Sequence, residues 1–522
     1  MLMKNKKSRT KYTMINISSS FGGRLIKTIL AFVVRTIFIQ TLGKSHLGVN
    51  GVFTSILNML SLAELGFGAT IVFHLYKPLA IKDSCRVRVL VKFYKQAYRV
   101  IGFVILFLGI CMIPFLPVLI RDYDSLQTLG INAVLVFMIY LLQSVSSYLF
   151  FAYRQTVIGA DQKKYIIDLA ECGRTILEAV LQIVSLVIFK SFLLYIISSL
   201  VSTIVYNIGI GYLAKRLYPE FFKREEGKLT REEIIGLFKD CGAMFFVKTE
   251  SVVLKATDNM VLSAFVGLDT VGLYSSYLML INACKGFIDK FYVSVKHSMG
   301  NLYATEAVEK QFLLFEVMNF LTFNIYGMAS LWLSICCDDL IHVWLGDPYV
   351  IAQPFSLLIG VETLFAGLIM NLYQIRSISG AFRQIWYRPI FSIVVNIVSS
   401  VILVQFMGIN GVIIGTILAQ VFVGMIIDPY VIMNVCFHRY KPLSYYYLKN
   451  LGFLLVLIGC GAVSFLCCKF ILPKPSWLSV IIHALIIASI VPSAFFLVYR
   501  NRPECQYLIK LASRSLKKIK RN

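Results

Sequence analysis

KYTMINISSSFGGRLIKTILAFVVRTIFIQTLGKSHLGVNGVFTSILNMLSLAELGFGATIVFHLYKPLA, residues 11–80, has the pattern of two apolar helices, over 13–42 and 47–75, joined by a tight glycine turn. Each apolar run is longer than the roughly 20 residues that an α-helix needs to cross a bilayer. The stretch therefore predicts a membrane-embedded pair of helices, and the rest of the chain is interpreted from it.

Charged residues interrupt both helices of this pair. The first contains Arg24, Lys27 and Arg35, and the second contains Glu64. A charged side chain in hydrocarbon costs at least about 2.5 kcal/mol, so such residues usually face a helix-bundle interior or a water-filled path. At about 100° per residue, Arg24 and Arg35 lie within about 20° of each other, and Lys27 lies about 60° from Arg24. These positions predict one cationic stripe, which is a candidate anion-binding surface.

The composition is that of an integral membrane protein. Of 522 residues, 58% are hydrophobic and 15% are charged, and the mean hydropathy is +0.75. Soluble globular domains carry about 25% charged residues. Apolar segments of about 20 residues recur along the whole chain, and we predict an all-α fold with about fourteen transmembrane helices.

The distribution of basic residues predicts the orientation. With both termini in the cytosol, the inside segments hold 37 Lys and Arg residues and the outside turns hold 5. This asymmetry is the one expected of cytosolic loops. The net charge of +24 then indicates contact with anionic lipid of the inner leaflet rather than with nucleic acid. The C-terminal ECQYLIKLASRSLKKIKRN is typical of a basic amphipathic helix on that leaflet.

An internal repeat predicts two lobes. LGKSHLGVNGVF, from Leu42, matches VGLDTVGLYSSY, from Val266, at an offset of 224 residues, so that Gly43 corresponds to Gly267 and Gly48 to Gly272. Parallel repeats of this kind are common in transporter halves. We predict an N-lobe of six helices over 1–215, a cytosolic linker over 216–239, a C-lobe of six helices over 240–437, two further helices over 438–499, and a basic tail over 500–522. Within the linker, Thr230-Arg231-Glu232-Glu233 predicts a capping box at the start of the next helix.

The second lobe repeats the charge pattern of the first helix. The repeat offset carries Arg24 onto Lys248, and Lys255 follows seven residues later, about 20° away on the helix. We therefore expect Arg24, Lys27, Arg35, Lys248 and Lys255 to form a central anion site. Alternatively, Lys255 forms an ion pair with Asp258 at i+3, and Arg35 extends its charge to the membrane interface.

Acidic residues within the spans are candidates for ion coupling. Glu64 and Glu362 have no basic residue in their own span, and Asp258 lies on the second cationic helix. A buried carboxyl can couple proton movement to transport, or it can be protonated and only hydrogen-bonded. In 165–189, by contrast, Glu171 and Glu178 lie one helical turn on either side of Arg174, which favours structural ion pairs.

The sequence contains none of the common enzyme or metal-site motifs. The twelve cysteines include no CxxC pair, and no P-loop, dinucleotide glycine pattern, nucleophile elbow or HExxH sequence is present. The outward turns are short, the longest running over about 336–351. We therefore predict a transporter and not an enzyme, without cofactor or metal, whose function lies between its helices.

Three stretches resemble a known family. They are the sequence from Val33 to Ala80, TDNMVLSAFVGLDTVGLYSSYLMLI from Thr257, and VVNIVSSVILVQFMGINGVIIGTILAQVF from Val394. They are similar to bacterial polysaccharide flippases, the Wzx-type branch for O-antigen and capsule repeat units, of the multidrug/oligosaccharidyl-lipid/polysaccharide (MOP) exporter superfamily. The resemblance covers essentially the whole chain.

This resemblance implies a MATE-like pair of lobes around a central cavity lined mainly by helices 1, 2, 7 and 8. It implies transfer of undecaprenyl-diphosphate-linked oligosaccharide from the inner to the outer leaflet of the bacterial cytoplasmic membrane. Implied partners are the bilayer, a polysaccharide polymerase and chain-length machinery, and no nucleic acid. Sugar hydroxyls would contact polar side chains such as Asn50, Asn58, Tyr274 and Tyr277.

Three alternatives remain open. A peptidoglycan lipid-precursor flippase shares the expected fold and mechanism. A cation-coupled multidrug exporter of the same superfamily would be favoured by an acid-lined rather than a Lys/Arg-lined cavity. A membrane glycan polymerase or ligase would need a substantial outer loop, which this sequence lacks.

Overall fold

A computed structural model of the chain describes residues 2–64, 67–121, 123–223, 227, 229–381 and 383–519. Some side chains inside its helices lie outside this description, including those of 2–18, 246–248 and 293–299. The described residues form helices and connecting turns, with no β-strand among them. Contacts divide the chain into two compact units, unit 1 over Met1–Gly272 and unit 2 over Leu273–Asn522.

The described residues of unit 1 form ten complete α-helices and the start of an eleventh. They are α1 (Leu2–Leu60), α2 (Phe67–Ala80), α3 (Ser84–Met112), α4 (Leu116–Leu119), α5 (Ser125–Thr128), α6 (Ala133–Leu149), α7 (Gln155–Ala160), α8 (Lys164–Val187), α9 (Phe192–Leu217), α10 (Arg231–Phe265) and α11 (Leu268–Thr305). The last of these continues into unit 2.

The part of unit 2 that the structure describes forms eight further α-helices. They are α12 (Val308–Leu345), α13 (Phe355–Ser379), α14 (Arg388–Met407), α15 (Ile409–Ala419), α16 (Met425–Val431), α17 (Leu443–Ile471), α18 (Trp477–Tyr499) and α19 (Pro503–Ile519). Two π-helical segments, Gln420–Gly424 and Ile432–Cys436, flank α16.

The predicted glycine turn is confirmed at Gly43. Its φ of 78° and ψ of −174° interrupt α1 and separate two helical segments, 2–42 and 44–60. Gly267, its counterpart in the repeat, also has a positive φ, 124°, and separates α10 from α11. Since L-residues with a side chain rarely adopt positive φ, both turns require glycine.

The second pair of repeat glycines meets in space. A Cβ on Gly48 would lie 2.0 Å from the carbonyl oxygen of Leu268, and a Cβ on Gly272 would lie 2.1 Å from that of Lys44. Lys44 and Leu268 are themselves equivalent in the repeat, so the contact is reciprocal. The Nζ of Lys44 also lies 3.1 Å from the carboxylate of Asp269. Both glycines are therefore needed for the close approach of the two turns.

Nine helical stretches of the described residues are long and apolar enough to cross a membrane. They are Gly22–Leu60, Ser84–Leu119, Phe192–Leu217, Val308–Leu345, Phe355–Ser379, Arg388–Met407, Ile409–Cys436, Leu443–Ile471 and Trp477–Tyr499. The chain is thus a multi-pass membrane protein. Other predicted spans fall on charged helices such as α8 or on the shorter α6, so the count of fourteen stays a prediction.

Unit 2 is organised around α12, which packs against α13, α17, α18 and α19. Aromatic side chains fill this core, among them Phe320 and Phe323 of α12 with Phe453 of α17 and Phe495 of α18. The rings of Phe323 and Phe453 are 5.2 Å apart between centroids. Such rings bury large apolar areas and hold α12, α17 and α18 together.

The predicted capping box at the start of α10 is confirmed. The side chain of Thr230 accepts a hydrogen bond from the backbone of Glu233, which in turn accepts one from the Thr230 backbone. Glu233 also binds Arg86 at the start of α3, with Nη2 and Oε1 2.6 Å apart. By its contacts α10 belongs to unit 1, whereas the sequence-based division begins the C-lobe at residue 240; that division stays a prediction.

Candidate functional site: a polar cavity beside a charged helix interface

Unit 1 encloses a cavity of about 370 Å³ between α1, α6, α8 and α9. Thirteen of its fourteen lining residues are polar, and the exception is Leu57. The polar lining residues are Asn50, Thr54, Asn58, Ser61, Tyr140, Gln143, Ser144, Ser147, Glu178, Gln182, Tyr195, Ser199 and Thr203. A lining of this kind inside a membrane-embedded unit can hold water or a ligand rich in hydroxyl groups.

The polar lining follows from a four-residue spacing along each helix. The spacing occurs in α1 at Asn50, Thr54 and Asn58, in α9 at Tyr195, Ser199 and Thr203, and in α8 at Glu178 and Gln182. Residues four apart lie on the same face of a helix. Each helix therefore presents one polar stripe to the cavity, and this spacing was the sequence signal for the site that the motif search missed.

Hydrogen bonds between these stripes hold the lining in place. Tyr140 of α6 donates its hydroxyl to Asn50 Oδ1 at 2.7 Å, and Thr54 Oγ1 lies 3.3 Å from the same oxygen. Across the cavity, Gln182 Nε2 donates to Ser199 Oγ at 2.8 Å. Apart from Glu178, the lining consists of neutral hydroxyl and amide groups, which suit an uncharged polar ligand.

A charged interface joins α1 and α8 in the same unit. Lys27 Nζ lies 2.6 Å from Glu171 Oε2, and their side chains remain 34% and 40% exposed. Two turns earlier on α1 and one turn earlier on α8, Ser20 Oγ donates to Asp168 Oδ2 at 2.6 Å. Sequence reasoning had paired Glu171 with Arg174 inside α8; the structure instead gives Glu171 a partner on α1.

The charged interface continues into the cavity. Arg174 and Glu178 form the predicted ion pair within α8, at 2.6 Å, and Glu178 lines the cavity. Arg35 of α1 lies within electrostatic reach of Tyr195, another lining residue. Its Nη1 atom is buried and makes no hydrogen bond to the residues that the structure describes. A buried guanidinium group in this state is suited to bind an anionic or polar ligand group.

The other predicted cations are distributed as follows. Arg24 lies on the first segment of α1, one turn before Lys27, and is partly buried. Lys255 is exposed on α10, while Asp258, one turn further along, is buried. The side chain of Lys248 lies outside the described residues. Beside Asp258, Asn259 donates to Ser55 Oγ of α1 at 2.8 Å, so α10 packs on α1 through polar groups.

Glu64 is held by tyrosines. Tyr98 of α3 donates its hydroxyl to Glu64 Oε1 at 2.8 Å, and Tyr148 of α6 donates to Oε2 at 2.7 Å. Both tyrosines are buried, and Tyr94 packs against Tyr98 with ring centroids 4.3 Å apart. The sequence had shown only that Glu64 lacks a basic neighbour in its own span, and the structure supplies hydroxyl donors from two other helices.

Glu362 of α13 does have a basic partner, from another helix. Lys285 Nζ of α11 lies 2.8 and 3.1 Å from its two carboxylate oxygens. Gln420, the first residue of a π-helical segment, donates Nε2 to Glu362 Oε1 at 3.0 Å. The sequence had shown only that Glu362 lacks a basic residue in its own span, because Lys285 lies on another helix.

The polar residues expected to contact sugar separate into two groups. Asn50 and Asn58 line the cavity of unit 1. Tyr274 and Tyr277 are buried elsewhere, and the Tyr277 hydroxyl donates to Asp338 Oδ1 at 2.7 Å. Among the described residues, no group of three or more His, Cys, Asp or Glu side chains is arranged to hold a metal ion.

Neither protein-family models nor curated proteins match this sequence. Solved structures do resemble it. An inward-facing multidrug-resistance transporter of the MATE family and MOP superfamily has a TM-score of 0.60 at 14% identity, over 81% of this chain and 99% of its own. The lipid II flippase MurJ, in an inward closed conformation, has a TM-score of 0.59 at 15% identity, over 94% and 99%.

A MATE transporter of Vibrio cholerae, VcmN, in a substituted form, has a TM-score of 0.53 at 12% identity, over 84% of this chain and all of its own. At such low identities the likeness establishes the fold alone. The predicted all-α, MATE-like membrane fold is therefore confirmed, and the chain has a fold similar to that of these MATE transporters and of MurJ.

Proposed function

We propose that this protein is a flippase. It would move undecaprenyl-diphosphate-linked oligosaccharide repeat units from the inner to the outer leaflet of the bacterial cytoplasmic membrane by alternating access, for O-antigen, capsule or exopolysaccharide synthesis. Both termini would lie in the cytosol. The observation that carries the proposal is Arg35, whose buried Nη1 atom makes no hydrogen bond to the described residues, beside a membrane-embedded cavity lined by hydroxyl and amide groups.

The cations would bind the diphosphate. A diphosphate carries at least two negative charges and cannot cross hydrocarbon unaided. Guanidinium and ammonium groups bind phosphate oxygens through charge-assisted hydrogen bonds, and Arg does so in a bidentate manner. Arg24, Lys27 and Arg35 supply such groups on α1. Lys248 and Lys255 would add cations from α10, as the sequence repeat suggests.

The polar cavity would bind the sugar. The hydroxyl groups of a sugar both donate and accept hydrogen bonds, and the side chains of Asn50, Gln143 and Gln182 offer both kinds of group. Leaving a polar group of either partner unpaired costs about 1–3 kcal/mol, so a hydroxyl-rich ligand is favoured over an apolar one. The polyprenyl chain could remain in the bilayer throughout.

The membrane potential could drive the transfer. With the cell interior negative, outward movement of each negative charge is favoured by about 2.3 kcal/mol per 100 mV, when no compensating charge moves. Ion coupling is the alternative, with Glu64, Asp258 and Glu362 as its candidate residues. Of these, Glu64 accepts hydrogen bonds from the hydroxyl groups of Tyr98 and Tyr148.

The fold leaves two neighbouring functions as competitors, and each has an observation in its favour. The named substrate of MurJ is itself a lipid-linked precursor, so a peptidoglycan-precursor flippase uses the same physics. A cation-coupled multidrug exporter would make use of the one carboxylate in the cavity, Glu178. Against the exporter, Glu178 is already paired with Arg174 at 2.6 Å.

Native mass spectrometry of the purified protein with its co-purifying lipid tests the proposal. Wild type is expected to retain a diphosphate-linked oligosaccharide. Arg35→Gln and the pair Arg24→Ala/Lys248→Ala should each retain at least about tenfold less. Arg99→Gln removes an exposed cation of α3 in the same unit and serves as the matched control, with retention unchanged.

Other results of the same experiment would support one of the competing functions. Retention of a lipid-linked disaccharide with a peptide stem would replace the repeat-unit flippase by the peptidoglycan-precursor flippase. If the wild type, given excess lipid-linked oligosaccharide, binds only cationic drugs, the exporter replaces both. Equal lipid retention by all variants keeps a flippase but contradicts the proposed cation site.

A further inference from the structure

The C-terminal helix α19 docks on unit 2 through a buried ion network. Glu504, in its first turn, is completely buried. Lys449 Nζ of α17 lies 2.9 Å from Glu504 Oε1 and 2.6 Å from Glu316 Oε1 of α12. Tyr445 donates its hydroxyl to the same Glu316 oxygen at 2.7 Å. One ammonium group thus joins α12, α17 and α19.

The ion network by itself stabilises the docked position of α19 only weakly, because the buried carboxylate of Glu504 has few partners. Among the described residues, Lys449 is the one cation at ion-pair distance from these carboxylates; Arg502, which is also within electrostatic reach of Tyr445, is exposed. Neither oxygen of Glu504 makes a hydrogen bond of good geometry within the described residues, although Lys449 lies close to one of them. A buried carboxylate is costly unless it is well paired and hydrogen-bonded. The docked position of α19 therefore needs support from another source.

The exposed faces of α19 indicate that source. Cys505 is buried and Leu508 packs on the core of unit 2, but Ile509 and Leu511 are 46% and 52% exposed. Lys510, between them, is also exposed. In the sequence, further basic residues follow Lys510 at helical spacing: Arg514, Lys517 and Lys518. A helix with exposed apolar residues beside basic ones is typical of the lipid–water interface.

We propose that α19 binds the anionic phospholipid headgroups of the adjacent leaflet, and that this binding keeps Glu504 docked against Lys449. Basic residues at a membrane surface are attracted to anionic lipid, and the attraction adds up over several residues. In a membrane without anionic lipid, the cost of keeping the Glu504 carboxylate out of water then favours its release. The anionic lipid content of the leaflet would thereby determine whether α19 stays in contact with α12, the central helix of unit 2.

This inference does not depend on the transported substrate, so it stands or falls separately from the proposed function. It rests on the ion network of Glu504 and on the exposed residues of α19. The partner is a lipid surface, since Ile509 and Leu511 lie beside the basic residues and match acyl chains next to headgroups. Binding to an acidic protein would leave these two apolar side chains unexplained.

Thiol labelling of the full-length protein in vesicles tests the proposal. Maleimide modification of Cys505, measured for each peptide by mass spectrometry, is compared between phosphatidylcholine vesicles and vesicles with equal amounts of phosphatidylcholine and phosphatidylglycerol. We expect labelling at least about tenfold slower with phosphatidylglycerol. The exposed Cys85 and the buried Cys460 of the same chain provide the fast and slow references.

Two sets of variants separate lipid binding from packing. Changing Lys510, Arg514, Lys517 and Lys518 to Gln should make Cys505 react quickly in both vesicle types. The matched control changes four exposed basic residues of unit 1, Lys215, Arg216, Lys223 and Arg231, and should behave as wild type. Lys449→Gln leaves Glu316 and Glu504 without their shared cation and should also speed the labelling of Cys505.

Three results would overturn the proposal. Equal slow labelling of Cys505 in both vesicle types would mean that packing alone holds α19. Equal fast labelling would mean that the docked state is absent from the membrane. If the variant with four Gln substitutions is still labelled slowly in phosphatidylglycerol vesicles, the four basic residues do not hold α19 in its docked position. The wild-type comparison remains decisive if Lys449→Gln does not fold.

Discussion

The charged interface between α1 and α8 in unit 1 differs from a second set of charges in unit 2. There, Arg376 Nη1 and Arg388 Nε lie 2.9 and 3.0 Å from Asp428 Oδ1. We call these three residues the buried arginine cluster; their side chains are 7%, 4% and 0% exposed. The Lys27 and Glu171 side chains, in contrast, are 34% and 40% exposed.

The comparison shows that burial, more than charge itself, separates structural from functional candidates. Charges withdrawn from water are strongly destabilising when a partner is lost, so their arrangement must stay intact. Charges that keep contact with water interact weakly and can exchange one partner for another at little cost. Under the proposed function, the charged interface next to the cavity would bind and release an anion, whereas we expect the buried arginine cluster to maintain the fold of unit 2.

The largest effect is expected at the buried arginine cluster. Asp428→Asn removes the carboxylate between two buried arginines and should destabilise the protein by about 3–5 kcal/mol. Thermal unfolding in detergent, followed by size-exclusion fluorescence, measures the loss. Asp347→Asn is the matched control, since that carboxylate is 85% exposed beside His342 and its loss should change little. Equal stability of the two variants would contradict the comparison.

The pair of Lys285 and Glu362 has intermediate burial, with side chains 22% and 17% exposed. Glu362→Gln keeps the side-chain size but removes the charge that Lys285 and Gln420 bind. We expect a loss of about 1.5–3 kcal/mol, the usual value for hydrogen bonds to charged groups. The same thermal assay measures it, with Glu309→Gln, an exposed residue of α12, as control. If Glu362→Gln lowers the stability as little as Glu309→Gln does, Glu362 contributes no more than an exposed charge.

The pair of Lys27 and Glu171 should contribute less, about 0.2–1 kcal/mol, because water screens side chains that are more than one third exposed. Lys27→Glu and Glu171→Lys each place like charges together and should lower the melting temperature slightly. The double reversal should restore it, and a double-mutant cycle gives the coupling energy. Substrate retention need not recover with stability, because the reversal moves the cation from α1 to α8. If the double reversal restores both the melting temperature and substrate retention, the pair of Lys27 and Glu171 has only a structural role.

The smallest effect concerns Glu233, which lies outside the nine apolar stretches, and its partner Arg86 in the first turn of α3. Arg86 and the Thr230 backbone lower the pKa of Glu233 below its ordinary value of 4.5. A lowered pKa stabilises the folded state above the unfolded pKa, and this contribution is lost as the pH falls through the folded pKa. Because the pair is exposed, wild type should exceed Glu233→Gln by at most about 1 kcal/mol at pH 7.

This prediction is checked by measuring the melting temperatures of both proteins between pH 7 and about pH 4. The lower limit is close to the ordinary pKa of a glutamate side chain. The difference between them should shrink as the pH falls. A difference that stays constant with pH would mean that the glutamine weakens the helix cap and that the ion pair contributes nothing. A comparison with Arg86→Gln, which leaves the cap intact, separates these two effects.

Several features could be predicted from sequence because they depend on neighbouring residues alone. The turn at Gly43, the capping box at Thr230 and the pair of Arg174 and Glu178 are of this kind, and all three are confirmed. Only part of the cavity lining could be predicted from the sequence. Asn50 and Asn58 were expected to contact sugar, but nothing in the sequence placed Gln182 opposite them, because that requires knowing which helices are neighbours.

By itself, the sequence determined that this is an all-α membrane protein with a repeated glycine turn, since hydropathy and backbone preference act along the chain. Only the tertiary structure decided which charges meet. Lys27 and Glu171 are 144 positions apart, and Arg376 and Asp428 are 52 apart. Helical periodicity fixes the face on which a side chain lies but not the helix that covers that face. Packing therefore decided the partner of each ion and the degree of its burial.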